Sequence, residues 1–365
     1  MGARTAAVGR NPPEEPRHPV IRQPNSKTEE KTTMIKAMLL QFSTHMWHDT
    51  PFTKAPDAER LRHYYPQHWE RMYQAAQGSG WTDTLDCDED VWRKVTTRYA
   101  ECGGEMLVID LGDAIRYKSH PEIAVSNAWS LEKFGAELTR LRGLGLEPIP
   151  KLNFSTCHDA WMHEYARMVS SKAWYAFCHD IIAETCALFG GPRLFHIGMD
   201  EETFGMQADD GYQFKAVRAN TLWWHDLNFL CDEVRACGAR PWMWADKLWD
   251  TDPAEFAANV PKDVLQSNWY YKEVFKFDET TPEYLRCEKM RVDAYKTLDD
   301  LGYDQMCCGS NWARDENYPG TVEYCTKLLK PEHLTGFLMA PWNSTEKLAE
   351  PWLLEACEIV RQAHA

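Results

Sequence analysis

Short apolar runs recur along the chain, and each one turns polar or acidic at its end before a stretch of helical periodicity begins. The runs are Ala37 to Trp47, Glu105 to Ile115, Leu146 to Phe154, Leu194 to Glu202, Arg240 to Trp249, Val264 to Tyr271, Gln305 to Trp312 and Leu334 to Trp342. They are close to continuously apolar rather than alternating, which is the pattern of strands covered on both faces of a parallel sheet. Between them the spacing predicts helices. Leu131, Phe134, Leu138 and Leu141 recur at threes and fours behind Ser130, a helix-capping residue, and Gly143 and Gly145 stop the segment. Further helices are predicted over Val91 to Cys102, Ser171 to Phe189, Thr221 to Cys237, near 283–300 and 321–330, and from Glu346 to Ala363. A long connection, Pro51 to Asp90, follows the first strand, with a helical stretch near Leu61 to Ala76.

Strands that alternate with helices in this way are satisfied best by a closed parallel barrel, so the expected fold is α/β, a (β/α)8 TIM barrel in one domain over residues 34–365. An open doubly wound sheet would call for a glycine-rich phosphate loop, and Gly-x-Gly-x-x-Gly does not occur. Residues 1–33 are rich in Pro, Glu, Arg, Asn and Thr and are expected to form a disordered leader. They carry no apolar signal region, so the expected location is the cytoplasm.

In such barrels the active site lies at the carboxyl ends of the strands. That rule gathers His45, Asp110, Asp113, Asn153, His158, Asp200, Glu201, Asp246, Asn268, Asn311 and Asn343 around one mouth. The fourth run stands out because Leu194-Phe-His-Ile-Gly-Met-Asp-Glu-Glu202 passes from buried strand to three successive carboxylates. Gly198 lets another group approach the backbone just ahead of them.

Composition changes the picture in three places. The net charge of -15, from 40 basic and 55 acidic residues, argues against a nucleic-acid partner and against adhesion to anionic membranes. The 12 cysteines sit inside apparent strands and helices, Cys178, Cys186, Cys231 and the pair Cys307-Cys308 among them, and read as reduced core residues. The 16 tryptophans are in excess, and Trp47, Trp244, Trp269, Trp312 and Trp342 fall at strand ends. There their faces can cover the apolar face of a sugar ring.

These residues resemble a known family. His196-Ile-Gly-Met-Asp200-Glu201 is similar to the His-x-Gly-Gly-Asp-Glu strand motif of the family-20 glycoside hydrolases, the β-N-acetylhexosaminidases. Tyr117-Lys-Ser-His-Pro121-Glu-Ile, Trp129-Ser-Leu-Glu-Lys, Gly145-Leu-Glu-Pro-Ile-Pro150 with His158, and Trp244-Ala-Asp246 resemble further segments of that family, over roughly residues 35–350. Three departures stand against it. Lys151 and Asn153 occupy positions where the family has Glu and Asp, Met199 replaces a glycine, and no arginine occurs between Gln41 and Thr50.

The resemblance implies an exo-acting hydrolase of terminal β-linked N-acetylhexosamine that retains configuration through the substrate's own acetamido group. Glu201 would be the general acid and Asp200 would orient the acetamido group. With the strand-end reading it leads to the expectation of sugar contacts from Asp113, Asn153, His158, His196, Trp244, Asp246, Trp269, Trp312 and Trp342, a carbohydrate as the ligand, and neither cofactor nor metal. Two alternatives stay open: a retaining glycosidase for another sugar with an enzyme nucleophile such as Asp246 or Glu346, and a non-catalytic carbohydrate-binding barrel. A metal-dependent amidohydrolase fits less well, because His45-Met-Trp-His48 has the wrong spacing for a first-strand ligand pair.

Overall fold

A computed structural model describes residues 34–50, 57–64, 68–70, 81–209 and 212–365. The leader expected at 1–33, and part of the helix expected near 61–76, lie outside the described residues.

The chain runs β1 (Ile35–Gln41), α1 (Ala58–Tyr64), α2 (Glu89–Glu101), β2 (Met106–Asp110), α3 (Leu131–Gly143), β3 (Glu147–Lys151), α4 (Lys172–Leu188) and β4 (Leu194–His196). It continues through α5 (Phe204–Asp209), α6 (Asn220–Ala236), β5 (Arg240–Trp244), α7 (Pro253–Asn259), β6 (Leu265–Ser267), α8 (Glu283–Arg286) and α9 (Lys289–Leu301). It ends with β7 (Gln305–Gly309), α10 (Asn317–Leu328), β8 (Leu334–Met339) and α11 (Glu350–Ala363). The strands pair in sequence order, all parallel, and β1 closes on β8, so the sheet is the expected eight-stranded barrel. Among the described residues no helix is long and apolar enough to cross a membrane.

Alternation along each strand divides the core in two. Ala37, Leu39, Met106, Val108, Ile149, Leu194, Trp242, Leu265, Met306 and Leu338 fill the barrel interior. Their neighbours Leu40, Leu107, Ile109, Phe195, Met243, Cys307 and Phe337 pack outward with helix residues such as Phe134, Leu138, Ile181 and Leu230. Each fully buried aliphatic or aromatic side chain contributes about 1.5–3 kcal/mol. Two such layers give the barrel enough apolar burial to carry polar groups near its mouth. Two helix starts read from sequence hold, with Ser130 Oγ accepting from Lys133 N at 3.2 Å and Ser171 Oγ from Trp174 N at 3.3 Å, whereas the last helix begins at Glu350 rather than at Glu346. All twelve cysteines are free thiols, most of them buried.

Every strand ends earlier than its apolar run. The residues beyond the ends leave the ladder and build the loops of the mouth. Pairing register aligns Gln41, Asp110, Lys151, His196 and Trp242 as one row across β1 to β5. The row lies just below those loops.

Candidate active site

The site is built where the loops after β3 and β4 meet. Gly198 has φ +71°, and a Cβ there would stand 2.0 Å from Asn153 Oδ1, so the glycine makes room for the asparagine. Asn153 then bridges the two loops. Its Oδ1 accepts from Ser155 N at 3.1 Å and Met199 N at 3.2 Å, and its Nδ2 donates to Asp200 Oδ1 at 2.8 Å. The backbone of Met199 and Glu201 is left-handed, φ 74° and 55°, a conformation that non-glycine residues hold only when their surroundings fix it.

The three successive acids receive three different environments. Asp200 is 6% exposed, with His158 Nδ1 3.3 Å from the same Oδ1 that Asn153 holds. Glu202 is clamped: its Oε1 accepts from Arg218 N and Nε, both at 2.9 Å, and its Oε2 from Arg218 Nη2 at 2.6 Å. Arg218 is itself buried, reaching Phe154 O at 2.8 Å and Asp226 Oδ2 at 3.3 Å. Glu201 alone keeps a partly open side chain, 27% exposed, with Oε2 3.6 Å from His158 Nε2.

Burial opposes charge on His158, yet the Asp200 carboxylate, with Glu201 behind it, raises the imidazole to about 9. Burial likewise opposes charge on Asp200, and the His158 charge with help from Lys151 and Asn153 holds it well below the usual carboxylate range. The pair is therefore imidazolium and carboxylate at neutral pH. Lys151, fully buried, forms an ion pair with Asp110 in the row beneath. His196 is neutral, pushed far down by burial and by the Lys151 charge. It accepts Gly198 N–H at 3.0 Å on Nδ1 and lies between Trp242 and Trp244, at ring distances of 4.9 and 4.6 Å.

A second charged knot sits beside this one. Asp113 accepts from Ser43 Oγ at 2.7 Å and pairs with His45 Nδ1 at 2.9 Å and His163 Nε2 at 3.4 Å. Burial opposes the His45 charge, but Asp113 and Asp86 carry it up to about 9. His45 and His158 give a pH prediction. A group raised in the folded state contributes its full stability below its ordinary value of 6.5 and loses it as pH climbs through about 9. Unfolding free energy measured by denaturant titration is expected to fall between pH 6.5 and pH 9.5, and less so in His158→Gln and His45→Gln. A flat profile would contradict the buried imidazolium assignment.

Aromatic rings line one side of the mouth. Trp342, at φ 53°, lies 5.8 Å from Trp244 and 6.3 Å from Trp47, whose ring is 6.3 Å from His158. Trp269 belongs to the same apolar cluster as Trp244, stacked on Tyr271 at 5.1 Å and packed by Trp249 and the Arg291 guanidinium. Trp312 is half-buried beyond β7. Asn268 and Asn311 face the helices: Asn268 Nδ2 donates to Arg291 O at 2.7 Å, and Asn311 Nδ2 to Trp352 O at 3.1 Å. Asn343 closes locally on Pro341 O. Asp246 meets the β4 loop, its Oδ2 accepting Glu201 N–H at 2.6 Å. His163, at a kink within the short 3-10 segment Ala160–Met168, and Arg218, in the loop before α6, escaped the sequence reading because neither belongs to a periodic element.

His158, Asp200 and Glu201 bring ligand atoms within 4.8 Å of one another, a spacing that a metal ion could use. A metal there would have to displace the firmly held His158 proton and compete with Asn153 for Asp200 Oδ1. The donors are thus already committed to an ion pair.

This is a (β/α)8 barrel with an acidic site at the carboxyl ends of its strands. The solved structures it is similar to include β-N-acetylhexosaminidases. With that of Bacteroides fragilis NCTC 9343 it shares 12% identity at a TM-score of 0.56, over 90% of this chain and 65% of that one. With Dispersin B the values are 15% and 0.53, over 76% and 95%, and with the Streptomyces plicatus enzyme 14% and 0.53, over 89% and 63%. The chain thus spans just under two thirds of the Bacteroides and Streptomyces proteins. At these identities the likeness establishes the shared fold. No protein-family model matches the sequence, and no curated protein sequence matches it.

Proposed function

We propose that the chain is a glycoside hydrolase that removes terminal β-linked N-acetylhexosamine with retention, using the substrate's acetamido group as nucleophile. The observation that carries this reading is the division of labour among the three acids. Asp200 is buried and ionised, Glu202 is locked on Arg218, and Glu201 stands partly open beside the His158 imidazolium. The Streptomyces plicatus structures, two of them variants holding the product GlcNAc, lend the substrate class.

In this reaction Glu201 gives its proton to the leaving oxygen as the bond to the anomeric carbon breaks, and the acetamido oxygen bonds to that carbon. Asp200 Oδ1 is already taken by Asn153 and His158, so Oδ2 is the oxygen that receives the acetamido N–H. His158, charged and 3.6 Å from Glu201, offsets the negative charge that Glu201 acquires. Water then opens the cyclic intermediate, its proton returning to Glu201. Trp47 and Trp342 form the apolar wall for the sugar and its acetamido methyl. Trp244, expected from the sequence to touch the sugar, is fully buried behind Trp342 and supports that wall from within.

The test is a panel of aryl N-acetylglucosaminides, N-acetylgalactosaminides, galactosides and glucosides, run with a thiazoline that imitates the cyclised intermediate. Cleavage of the N-acetyl sugars and strong thiazoline inhibition are expected, and Asp200→Asn should weaken both. Cleavage of sugars lacking the acetamido group, with a covalent 2-fluoro-sugar adduct on an enzyme carboxylate, would overturn the mechanism. No cleavage at all, with sugar binding retained, would make the protein a binding barrel.

A further inference from the structure

Asp246 sits at the end of β5, where sequence reasoning counts it among sugar contacts, yet its geometry points inward to the enzyme. The side chain belongs to a residue only 7% exposed, and its Oδ2 accepts the Glu201 backbone N–H at 2.6 Å. Oδ1 is buried and without a hydrogen-bond partner. Glu201 is the residue whose backbone is held left-handed, with φ 55°. For an L-residue carrying a long side chain that conformation costs about 1–2 kcal/mol, so something must hold it.

Three amides of this corner are held by side chains among the described residues. Gly198 N–H is held by His196, Met199 N–H by Asn153, and Glu201 N–H by Asp246. The first two come from β4 itself and the loop after β3. The third holds the acid's own amide N–H, and it ties that amide to a residue just past the end of β5.

We propose that Asp246 is a positioning residue for Glu201. By holding the Glu201 amide it keeps the strained turn that aims the Glu201 carboxyl at His158 and the barrel mouth, and it does not itself touch the sugar. The proposal rests on the glycosidase reading for its kinetic consequence and on geometry alone for its structural one. Charge supports it. Burial and the neighbouring Asp200 and Glu201 carboxylates raise Asp246 to about 8, so at neutral pH it is mostly a neutral acid. A neutral carboxyl still accepts the amide hydrogen bond, adds no repulsion when Glu201 becomes anionic, and makes a poor nucleophile.

The decisive comparison is Asp246→Asn against Asp246→Ala, with Asp246→Ser standing in if the alanine variant does not fold. Asparagine retains an acceptor oxygen and neutrality, whereas alanine retains neither. On aryl N-acetylhexosaminides with poor leaving groups, Asp246→Ala should lose about 10- to 100-fold in kcat with KM little changed, the scale for a misplaced catalytic group. Asp246→Asn should recover most of that loss. Independently of any activity, amide hydrogen exchange at Glu201 should be slow in the wild type and in Asp246→Asn, and about 10-fold or more faster in Asp246→Ala. Equal Glu201 exchange in all three proteins would overturn the proposal, as would a raised KM or an asparagine variant as impaired as alanine. A wild type that cleaves no glycoside would defeat the proposed function instead, and the exchange measurement would still decide the role of Asp246.

Discussion

Glu201→Gln is expected to lower turnover of an alkyl or sugar N-acetylhexosaminide by about 100-fold or more, the range that general acid catalysis supplies. The amide preserves shape and cannot donate a carboxyl proton, and it sits in the partly open position that Glu201 holds 3.6 Å from His158. The loss should depend on the leaving group. A dinitrophenolate departs without protonation, so glycosides of acidic phenols should be affected least, and small nucleophiles such as azide should restore the second step, for which Glu201 would otherwise deprotonate water. The neighbouring acid gives a contrasting control. Glu202→Gln leaves the Glu201 carboxyl in place and weakens only the Arg218 clamp, so its cost should fall on stability and be equal across leaving groups. Rates measured over a series of aryl glycosides check the assignment, and a uniform loss in Glu201→Gln would assign the proton to another group.

Much of the barrel was legible because a parallel sheet covered on both faces leaves continuous apolar runs, and all eight runs became strands. Their ends were less legible. Val264 to Tyr271 reads as one strand, but the ladder of β6 stops at Ser267, and Asn268 turns to the backbone of α9 while Trp269 remains on the barrel side. Apolar character continues through such residues, and only the pairing partner reveals where the ladder stops. The strand-end rule gathered Asp200, Glu201 and His158 at one mouth, and the structure brings their ligand atoms within 4.8 Å, but the same rule also gathered Asn268 and Asn311, which turn to helix carbonyls. The Lys151–Asp110 pair was not legible, since it depends on the register that aligns β2 with β3. Asp246 illustrates a different limit. Its partner is a backbone amide, which no pattern of side chains encodes.

The separate fates of the three acids depend on Arg218, and Arg218→Met should be among the most destabilising single changes in the protein. Arg218 is 3% exposed, and its guanidinium joins Glu202, Asp226 and the Phe154 carbonyl, tying the loop after β3 and the loop after β4 to α6. Removing it strands Glu202, whose side chain is 4% exposed and whose other bond is a longer one from Thr156 N at 3.3 Å. Breaking a buried pair from one side costs about 3–5 kcal/mol, most of it the burial of an uncompensated charge. Asp226 is better protected, because Ser170 Oγ and Tyr175 OH donate to it, both at 2.6 Å. The strain should therefore concentrate on Glu202. The double change Glu202→Met with Arg218→Met removes both charges together and should recover much of the stability, since a buried pair replaced by apolar groups of similar volume is often close to neutral. Denaturant unfolding of the two single variants and the double variant measures this coupling. If Arg218→Met alone costs under 1 kcal/mol, the scale of an exposed ion pair, then Glu202 finds water or its proton instead, and the third acid of the motif is not the clamp that leaves Glu201 alone at the mouth.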